Sequence, residues 1–182
     1  MKNDFKEDYR CNHRNGEEWK FLPGGARIIY NHVFRFLWIS RNYQNSQNKI
    51  VKKLYKFCAH HMTNKYGLEI DFSSTKIGRG IQLVHAYNIT VDSQTIIGDY
   101  AVLFKGATLG NVRSGKRAGS PKLGRNVVVG INAFVCGGIE IGDDVLIAAN
   151  SFVDVDVPSH SLVFGNQAII KHKDNATIDY IK

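Results

Sequence analysis

The chain has 182 residues, 43% of them hydrophobic, and a formal net charge of +8 at neutral pH. This length suits one domain with a short appendage, and the composition is ordinary for a globular protein. The first twenty residues carry charges throughout and lack the apolar segment of a secretory signal, and no apolar run approaches the length of a membrane span. The three cysteines, Cys11, Cys58 and Cys136, are odd in number and lack CxxC spacing, which argues against a disulfide framework or zinc knuckle. We expect a cytoplasmic protein.

The excess of positive charge does not by itself indicate nucleic-acid binding. No recognition-helix, RRM, KH or zinc-finger pattern accompanies it, so we expect no nucleic-acid partner. The charge is ordinary for solubility, and it also suits attraction to an anionic ligand or surface.

Residues 1–67 are predicted to form an N-terminal arm and helical segment. Residues 1–22 are polar and without periodicity, which predicts a loosely ordered arm. Residues 26–42 and 47–65 predict two helices. The first is aromatic and basic, which suits peripheral contact with the inner face of a membrane, but packing on the second helix or a neighbouring subunit is the favoured interpretation. In the second helix the apolar residues fall near one face and most lysines lie opposite. These apolar residues are Ile50, Leu54, Phe57 and Cys58.

Aliphatic residues recur every six positions over most of residues 68–160. The series is Val91, Ile97, Leu103, Leu109, Leu123, Val129, Val135, Ile141, Ile147 and Val153. Small or β-branched residues stand four places after most of them. Neither a helix nor an alternating strand has a period of six, whereas a solenoid of hexapeptides has. The pattern predicts a mostly β protein, a parallel β-helix whose triangular coils hold about eighteen residues each.

Two breaks in this register predict features that leave the prism. Two extra residues follow His85, and eight extra residues lie within 111–120. Departures from a repeat map to loops on one face, often the binding face. Residues 161–182 are predicted to be a C-terminal tail that caps the last coil, as repeat proteins require.

Three segments resemble the serine acetyltransferase branch of the hexapeptide-repeat acyltransferases. They are GRGIQLVHAYNITV, LGNVRSGKRAGSPKLG and VPSHSLVFGNQAII. The resemblance implies a left-handed parallel β-helix, a homotrimer with sites between subunits, and acetyl-CoA as the donor. It implies no metal, and none is expected.

His85 is the candidate general base. Transfer of an acetyl group from a thioester to a hydroxyl needs a base near the operating pH, and imidazole suits that role. The resemblance assigns a carboxylate to orient this histidine; Glu69 is the first candidate and Asp71 the second, because Ile70 stands at the matching position. The alternative is a histidine that only fills a corner; the flanking motifs favour the catalytic role.

The resemblance also implies residues that bind acetyl-CoA, some at coil corners for its pantetheine arm and some for its phosphate groups. These are Asn111, Ile131 and Ala149 for the pantetheine, and Lys122, Lys171 and Lys173 for the phosphates. The 111–120 loop carries Arg113, Lys116 and Arg117 between glycines. It resembles a flap over the cofactor or acceptor, and the alternative is a solvated basic excursion.

Departures from the family concern the acceptor. Val84 stands where the family has an acidic residue, and Gly119-Ser120 replace an Arg-His pair, so Val84, Arg113, Arg117 and Ser120 are the acceptor-site candidates. A desolvated serine carboxylate or ammonium needs a charged or strongly hydrogen-bonding partner. These changes predict a sugar hydroxyl of a surface polysaccharide as acceptor, with serine as the alternative.

Two other classes of protein share this repeat pattern. A hexapeptide-helix metalloprotein such as a carbonic anhydrase needs three histidines at a subunit interface, and the coils supply one. A catalytically silent trimeric scaffold is the remaining alternative.

Overall fold

The computed structural model describes residues 3–13 and 31–181, and the mostly β fold predicted from the sequence is confirmed. The described helices are α1 (Asn3–Asn12), α2 (His32–Asn45) and α3 (Lys49–Tyr66). The strands are β1 (Leu68–Ile70), β2 (Lys76–Ile77), β3 (Gln82–Val84), β4 (Ile89–Val91), β5 (Ile96–Ile97), β6 (Val102–Phe104), β7 (Thr108–Gly110), β8 (Lys122–Leu123), β9 (Val127–Val129), β10 (Phe134–Cys136), β11 (Glu140–Ile141), β12 (Val145–Ile147), β13 (Phe152–Val153), β14 (Ser161–Phe164) and β15 (Ile169–His172).

The strands form a parallel β-solenoid with three sheets. Sheet A has the strand order β1-β4-β7-β10-β13, sheet B the order β11-β8-β5-β2, and sheet C the order β15-β14-β12-β9-β6-β3. Each of the first four coils contributes a strand to sheet A, then one to sheet B, then one to sheet C, and in the last coil Val157 makes only an isolated bridge to Ile141 of sheet B. The chain therefore turns three corners in every coil, and equivalent corners of successive coils stack along the prism.

The six-residue pattern marks the interior of this prism. Every aliphatic residue of the predicted series is buried, and so are the residues four places after them, from Thr95 to Val157. Several corners need a positive φ, which Asn and Gly adopt most readily. Asn126, Asn132 and Asn150 have φ between 54° and 57°. Gly137 makes the turn after β10 with φ 91°.

The last parallel strand lies beyond residue 160. β14 pairs in parallel with β12, and β15 then turns back antiparallel to β14, which ends the stack. The following turns are held by Asp144, whose carboxylate accepts hydrogen bonds from the amides of Ala176 and Thr177 and from the Thr177 hydroxyl. Partial burial opposes ionisation of Asp144, but the hydrogen bonds from Thr177 and His160 outweigh it and lower its pKa.

We expected a loosely ordered arm over residues 1–22, and this expectation was wrong for residues 3–12. These residues form α1, which buries Phe5, Tyr9 and Asp8. α2 begins at His32 with Asn31 as N-cap, and residues 26–30 of the predicted helix lie outside the described residues. α3 has Asn48 as N-cap and ends at Gly67, which has a left-handed conformation.

α2 is the central helix of this segment. Its apolar residues, including Phe36 and Leu37, are buried against α1, α3 and the first coil, which agrees with the packing interpretation. α3 differs, because Ile50, Leu54 and Phe57 on its apolar face remain exposed. Among the helices of the described ranges, none has the length and hydrophobicity needed to cross a membrane.

A buried ion pair joins α1, α2 and the first coil. Arg41 Nε lies 2.8 Å from Asp8 Oδ2, and its guanidinium also donates to the carbonyls of Ile77 and Gly78. The same carboxylate accepts the amides of Gly80 and Ile81. Burial raises the pKa of Asp8, and Arg41 opposes that shift. The pair therefore fixes the helices to the start of the solenoid.

Arg41→Met is expected to lower the free energy of unfolding by about 3–5 kcal/mol, because it leaves a buried carboxylate without its cation. Without Arg41 the pKa of Asp8 rises further, so the folded state holds a proton more tightly than the unfolded chain does. Stability of the variant should therefore fall as pH rises above about 4, the ordinary carboxyl pKa. Denaturant unfolding at pH 5.5 and pH 8 measures both effects.

The matched control is Arg113→Met, which changes an exposed arginine and should leave stability within about 0.5 kcal/mol. Adding Asp8→Asn to Arg41→Met should remove the pH dependence. A pH-independent loss in the single variant would contradict this account.

Candidate active site

His85 is exposed at the corner where the chain passes from sheet C to sheet A. It follows β3 directly and has φ 49°. The extra residues of the first register break fill the corner behind it: Ala86 is completely buried, and the amide of Asn88 donates to the Tyr66 carbonyl at 3.0 Å. Because the insertion is anchored on both sides, the His85 side chain is directed out of the prism.

Two aromatic side chains, His32 and Tyr66, pack around this insertion together with its own Tyr87. The sequence did not predict this cluster. The His32 ring stacks on Tyr66 at 4.5 Å between centroids and lies 4.9 Å from the Tyr87 ring. His32 Nε2 is 3.0 Å from the Ala86 carbonyl oxygen, one residue after His85. Arg35 donates to the Tyr66 hydroxyl at 3.1 Å. The only sequence signal was an aromatic residue inside the two-residue insertion.

The corner of His85 continues along the prism as one edge, which we call the C–A edge. Its members are the corner residues 85–88, 105–106, 130–132 and 148–150. Backbone hydrogen bonds connect them in order, from the Lys105 amide to Val84, from Asn132 to Lys105, and from Asn150 to Ile131. Ile131 and Ala149, two of the predicted pantetheine positions, are exposed on this edge below His85.

Lys105 is a further residue that the sequence reasoning missed. Val84 pairs with Phe104 in the parallel register, so the next residues, His85 and Lys105, occupy the same corner in adjacent coils. Adjacent strands lie about 4.8 Å apart. Because Lys105 is exposed, the register places a cation one coil away from the His85 corner. Its spacing of twenty residues from His85 identifies it only after the coil register is known.

The two candidate carboxylates lie elsewhere on sheet A. Glu69 pairs with Thr90 in the strand register, and its Oε2 accepts from the Thr90 hydroxyl at 3.4 Å. Asp71 follows the end of β1 and accepts from the Ser73 amide at 2.8 Å and from the Ser74 hydroxyl at 3.0 Å. Partial burial opposes ionisation of Asp71, but the hydrogen bonds from Ser73 and Ser74 outweigh it and lower its pKa.

Both carboxylates line a cavity of about 310 Å³ between the helices and sheet A. Its walls also include Tyr43 of α2 and Lys56 and His60 of α3. His85 is not one of the lining residues. The opposite end of sheet A holds the His85 corner, because Tyr66 and Asn88 meet before β1 and β4 begin while Asp71 follows their ends. No hydrogen bond or ion pair joins His85 to Glu69 or Asp71 within the described residues.

The loop at 111–120 leaves the prism on the far side of sheet A, at what we call the A–B edge. This edge comprises Asp71, Asp92 and the loop itself. Val112 and Gly119 form an antiparallel bridge, and the Gly138 amide donates to the Arg117 carbonyl at 2.9 Å. The Asn111 side-chain amide (Nδ2) donates to the Ser120 hydroxyl at 3.0 Å. The loop is therefore an ordered hairpin rather than an unconstrained excursion.

The acceptor candidates are divided between the two edges. Val84 ends β3 beside His85 on the C–A edge. Ser120 is buried at the base of the loop, where its hydroxyl also donates to Asp92. Arg113 is exposed at the loop, and Arg117 lies 3.9 Å from the Asp156 carboxylate. Within one chain the structure therefore does not bring Val84 together with the loop residues.

The phosphate candidates do not form one cluster either. Lys122 lies on sheet B, 3.1 Å from Glu140. Lys171 extends over the Phe164 ring at the end of sheet C, and Lys173 follows β15, where its amide donates to the His160 carbonyl. Asn111 is on the A–B edge, away from Ile131 and Ala149.

Comparisons with known proteins agree with the solenoid fold. The "Bacterial transferase hexapeptide (six repeats)" family model matches residues 120–154. A serine acetyltransferase of Synechococcus elongatus is 32% identical over 91% of this chain and 64% of its own length, so the chain spans less than two thirds of that relative. A serine acetyltransferase of Staphylococcus aureus is 33% identical over 85% of this chain and 68% of its own length. A solved serine acetyltransferase in complex with CoA superimposes with a TM-score of 0.72 at 26% identity, over 92% of this chain and 68% of that one.

These similarities overturn the expectation of a polysaccharide acceptor. The relatives that match most of the chain are named serine acetyltransferases, which supports the alternative acceptor, serine. The departures at Val84 and Gly119-Ser120 therefore do not exclude serine as the acceptor. The chain belongs to the serine acetyltransferase family of hexapeptide-repeat acyltransferases.

Proposed function

We propose that this protein is a serine O-acetyltransferase that uses acetyl-CoA as donor and His85 as general base. The observation that carries the proposal is the exposed His85 on the C–A edge of a chain 32–33% identical to named serine acetyltransferases over most of its length. The exposed imidazole, aimed away from the prism, has the position that a base for a bound hydroxyl needs.

The reaction is a direct transfer between two bound substrates. His85 takes the proton of the serine hydroxyl as its oxygen attacks the thioester carbonyl carbon, which gives a tetrahedral oxyanion. Collapse of this intermediate breaks the carbon–sulfur bond, and the imidazolium returns the proton to the CoA thiolate. Backbone N–H groups at the corners stabilise the oxyanion. The products are O-acetylserine and CoA, and no covalent enzyme intermediate is needed.

A homotrimer with sites between subunits is part of the proposal. One chain carries His85, Ile131 and Ala149 on the C–A edge, and it carries Asp71, Asn111 and the hairpin on the A–B edge. A neighbouring subunit whose A–B edge faces this C–A edge supplies the missing half of the site. Glu69 or Asp71 of that neighbour then orients His85, by the logic of a carboxylate that fixes an imidazole tautomer.

We assign Lys105 to the carboxylate of the serine acceptor. A desolvated carboxylate needs a cation, and Gly119-Ser120 offer none. Lys105 lies one coil from His85, so the hydroxyl and the carboxylate of one small amino acid can reach both side chains. The charge absent from the loop is in this way supplied from the adjacent coil.

The experiment on the activity itself compares acceptors with purified protein, using detection of the CoA thiol. L-serine is expected to release CoA from acetyl-CoA, and His85→Ala is expected to lower kcat by about 10²–10⁴-fold, because the general base is lost. His160→Ala, an exposed histidine on the solenoid remote from the C–A edge, is the matched control. Absence of serine-dependent CoA release by the wild-type protein would reject the proposal.

Lys105→Met is expected to raise KM for serine by about tenfold or more, since an ion-paired hydrogen bond contributes about 1.5–3 kcal/mol. KM for acetyl-CoA should stay unchanged, because the substitution affects only the acceptor carboxylate. Lys76→Met, an exposed lysine of sheet B, is the matched control. Steady-state kinetics with each substrate varied separately gives both constants, and an unchanged KM for serine would remove Lys105 from the site.

His32→Phe is expected to lower kcat by about 3–10-fold, because it keeps the ring stack but removes the hydrogen bond of about 0.5–1.5 kcal/mol that holds the Ala86 carbonyl beside His85. His32 is a positioning residue, so His32→Gln, which retains a donor, should recover part of the rate. KM for both substrates and the thermal midpoint should change little. His172→Phe, on an exposed histidine, is the control. A loss of rate that follows the loss of stability would show a merely structural role.

A further inference from the structure

α3 carries an exposed apolar face that the fold leaves uncovered. Ile50, Leu54 and Phe57 are 80%, 61% and 72% exposed. Their spacing of four and then three residues places them on one side of the helix. The opposite side supplies the packing, because Met62 is buried and Tyr55 and Ala59 contact the core. Single apolar residues at a surface are ordinary, but a contiguous group marks an interaction site. We call these three residues the α3 face.

Basic residues border the α3 face. Lys49 and Lys53 are exposed along one side of it, and α3 contains no aspartate or glutamate. The chain as a whole has a net charge of +8. An apolar stripe beside a row of lysines is the arrangement by which a helix lies in the interface of an anionic membrane.

We propose that α3 docks on the surface of a bilayer containing anionic phospholipids. Ile50, Leu54 and Phe57 enter the boundary between headgroups and acyl chains, and the lysines contact lipid phosphates. The helix lies on the bilayer and does not cross it, which agrees with the absence of a membrane-spanning helix in the described part of the chain. α2, which the sequence suggested for such a contact, buries its apolar residues in the protein and is excluded.

The charge pattern favours a lipid surface over a second copy of the chain. A two-fold contact places the α3 face against itself and brings two rows of lysines together, with no carboxylate on α3 to pair with them. A stable dimer also buries about 800 Å² per partner, which is large for one face of one helix. An anionic bilayer satisfies the lysines and covers the apolar side chains at the same time.

The test is co-sedimentation of the full-length protein with vesicles. Binding is expected to vesicles of equal parts phosphatidylglycerol and phosphatidylcholine, and it should weaken at least fivefold with phosphatidylcholine alone or at high salt, because salt screens the lysine contribution. Leu54→Gln/Phe57→Gln should weaken binding to the anionic vesicles about tenfold or more. Lys49→Gln/Lys53→Gln should weaken it to a similar extent and make the remaining binding less sensitive to salt.

Ile178→Gln is the matched control, since Ile178 is 68% exposed on the C-terminal turns and lies outside the α3 face. It should bind anionic vesicles like the wild-type protein. Circular dichroism confirms that each variant is folded, so this test does not depend on the outcome for the proposed function.

Four results would overturn the inference. One is a wild-type protein that does not sediment with anionic vesicles. Another is Leu54→Gln/Phe57→Gln binding at the wild-type level. The third is a wild-type protein that does not bind vesicles but whose particle mass by light scattering falls in the Leu54→Gln/Phe57→Gln variant. That result would show that the α3 face binds a second copy of this chain. Binding of an acidic protein partner without vesicle binding rejects the lipid assignment in the same way.

Discussion

The six-residue register is the constraint on which the solenoid and its site depend. Each coil buries an aliphatic residue from every side of the triangle, and parallel pairing fixes which corners stack. A residue added to the chain has no place inside such a prism, so it must leave at a corner. The two insertions therefore have to appear at edges of sheet A. One turns His85 outward, and the other builds the hairpin at the opposite edge.

The helices are joined to the same first coil by a different kind of interaction. The buried pair of Asp8 and Arg41 connects α1 and α2 to the backbone between Ile77 and Ile81. A paired charge of this sort holds orientation more than it adds stability, because desolvation offsets most of the attraction. Its position explains how His32, on the same helix as Arg41, is held against the residue that follows His85. The N-terminal segment thus helps to hold the corner of His85, although His85 itself, the proposed base, belongs to the solenoid.

The sequence predicted the solenoid closely because burial in it follows a strict period. Val91 through Val153 are buried in the predicted positions, and the 111–120 loop leaves where the count fails. α1 was missed because its helix formation depends on a tertiary partner, Arg41, thirty-three residues away. Lys105, His32 and Tyr66 were missed for a related reason, since their nearness to His85 arises from coil stacking and helix packing, which no local pattern reports. The sugar acceptor was a wrong inference drawn from two local substitutions.

The candidate site residues are divided between the C–A edge and the A–B edge. This division allows the acceptor pocket to change while the proposed acetyl transfer is kept. The proposed base, His85, lies on the C–A edge, while the family's acceptor pair would belong to the hairpin of the A–B edge, which here ends in Ser120. Ser120 serves the hairpin itself through Asn111 and Asp92, so the loop keeps its shape although it has no charge at that position. A compensating charge can then come from any corner adjacent to the base. Lys105 is such a corner residue, and its place in the adjacent coil is fixed by the register that exposes His85.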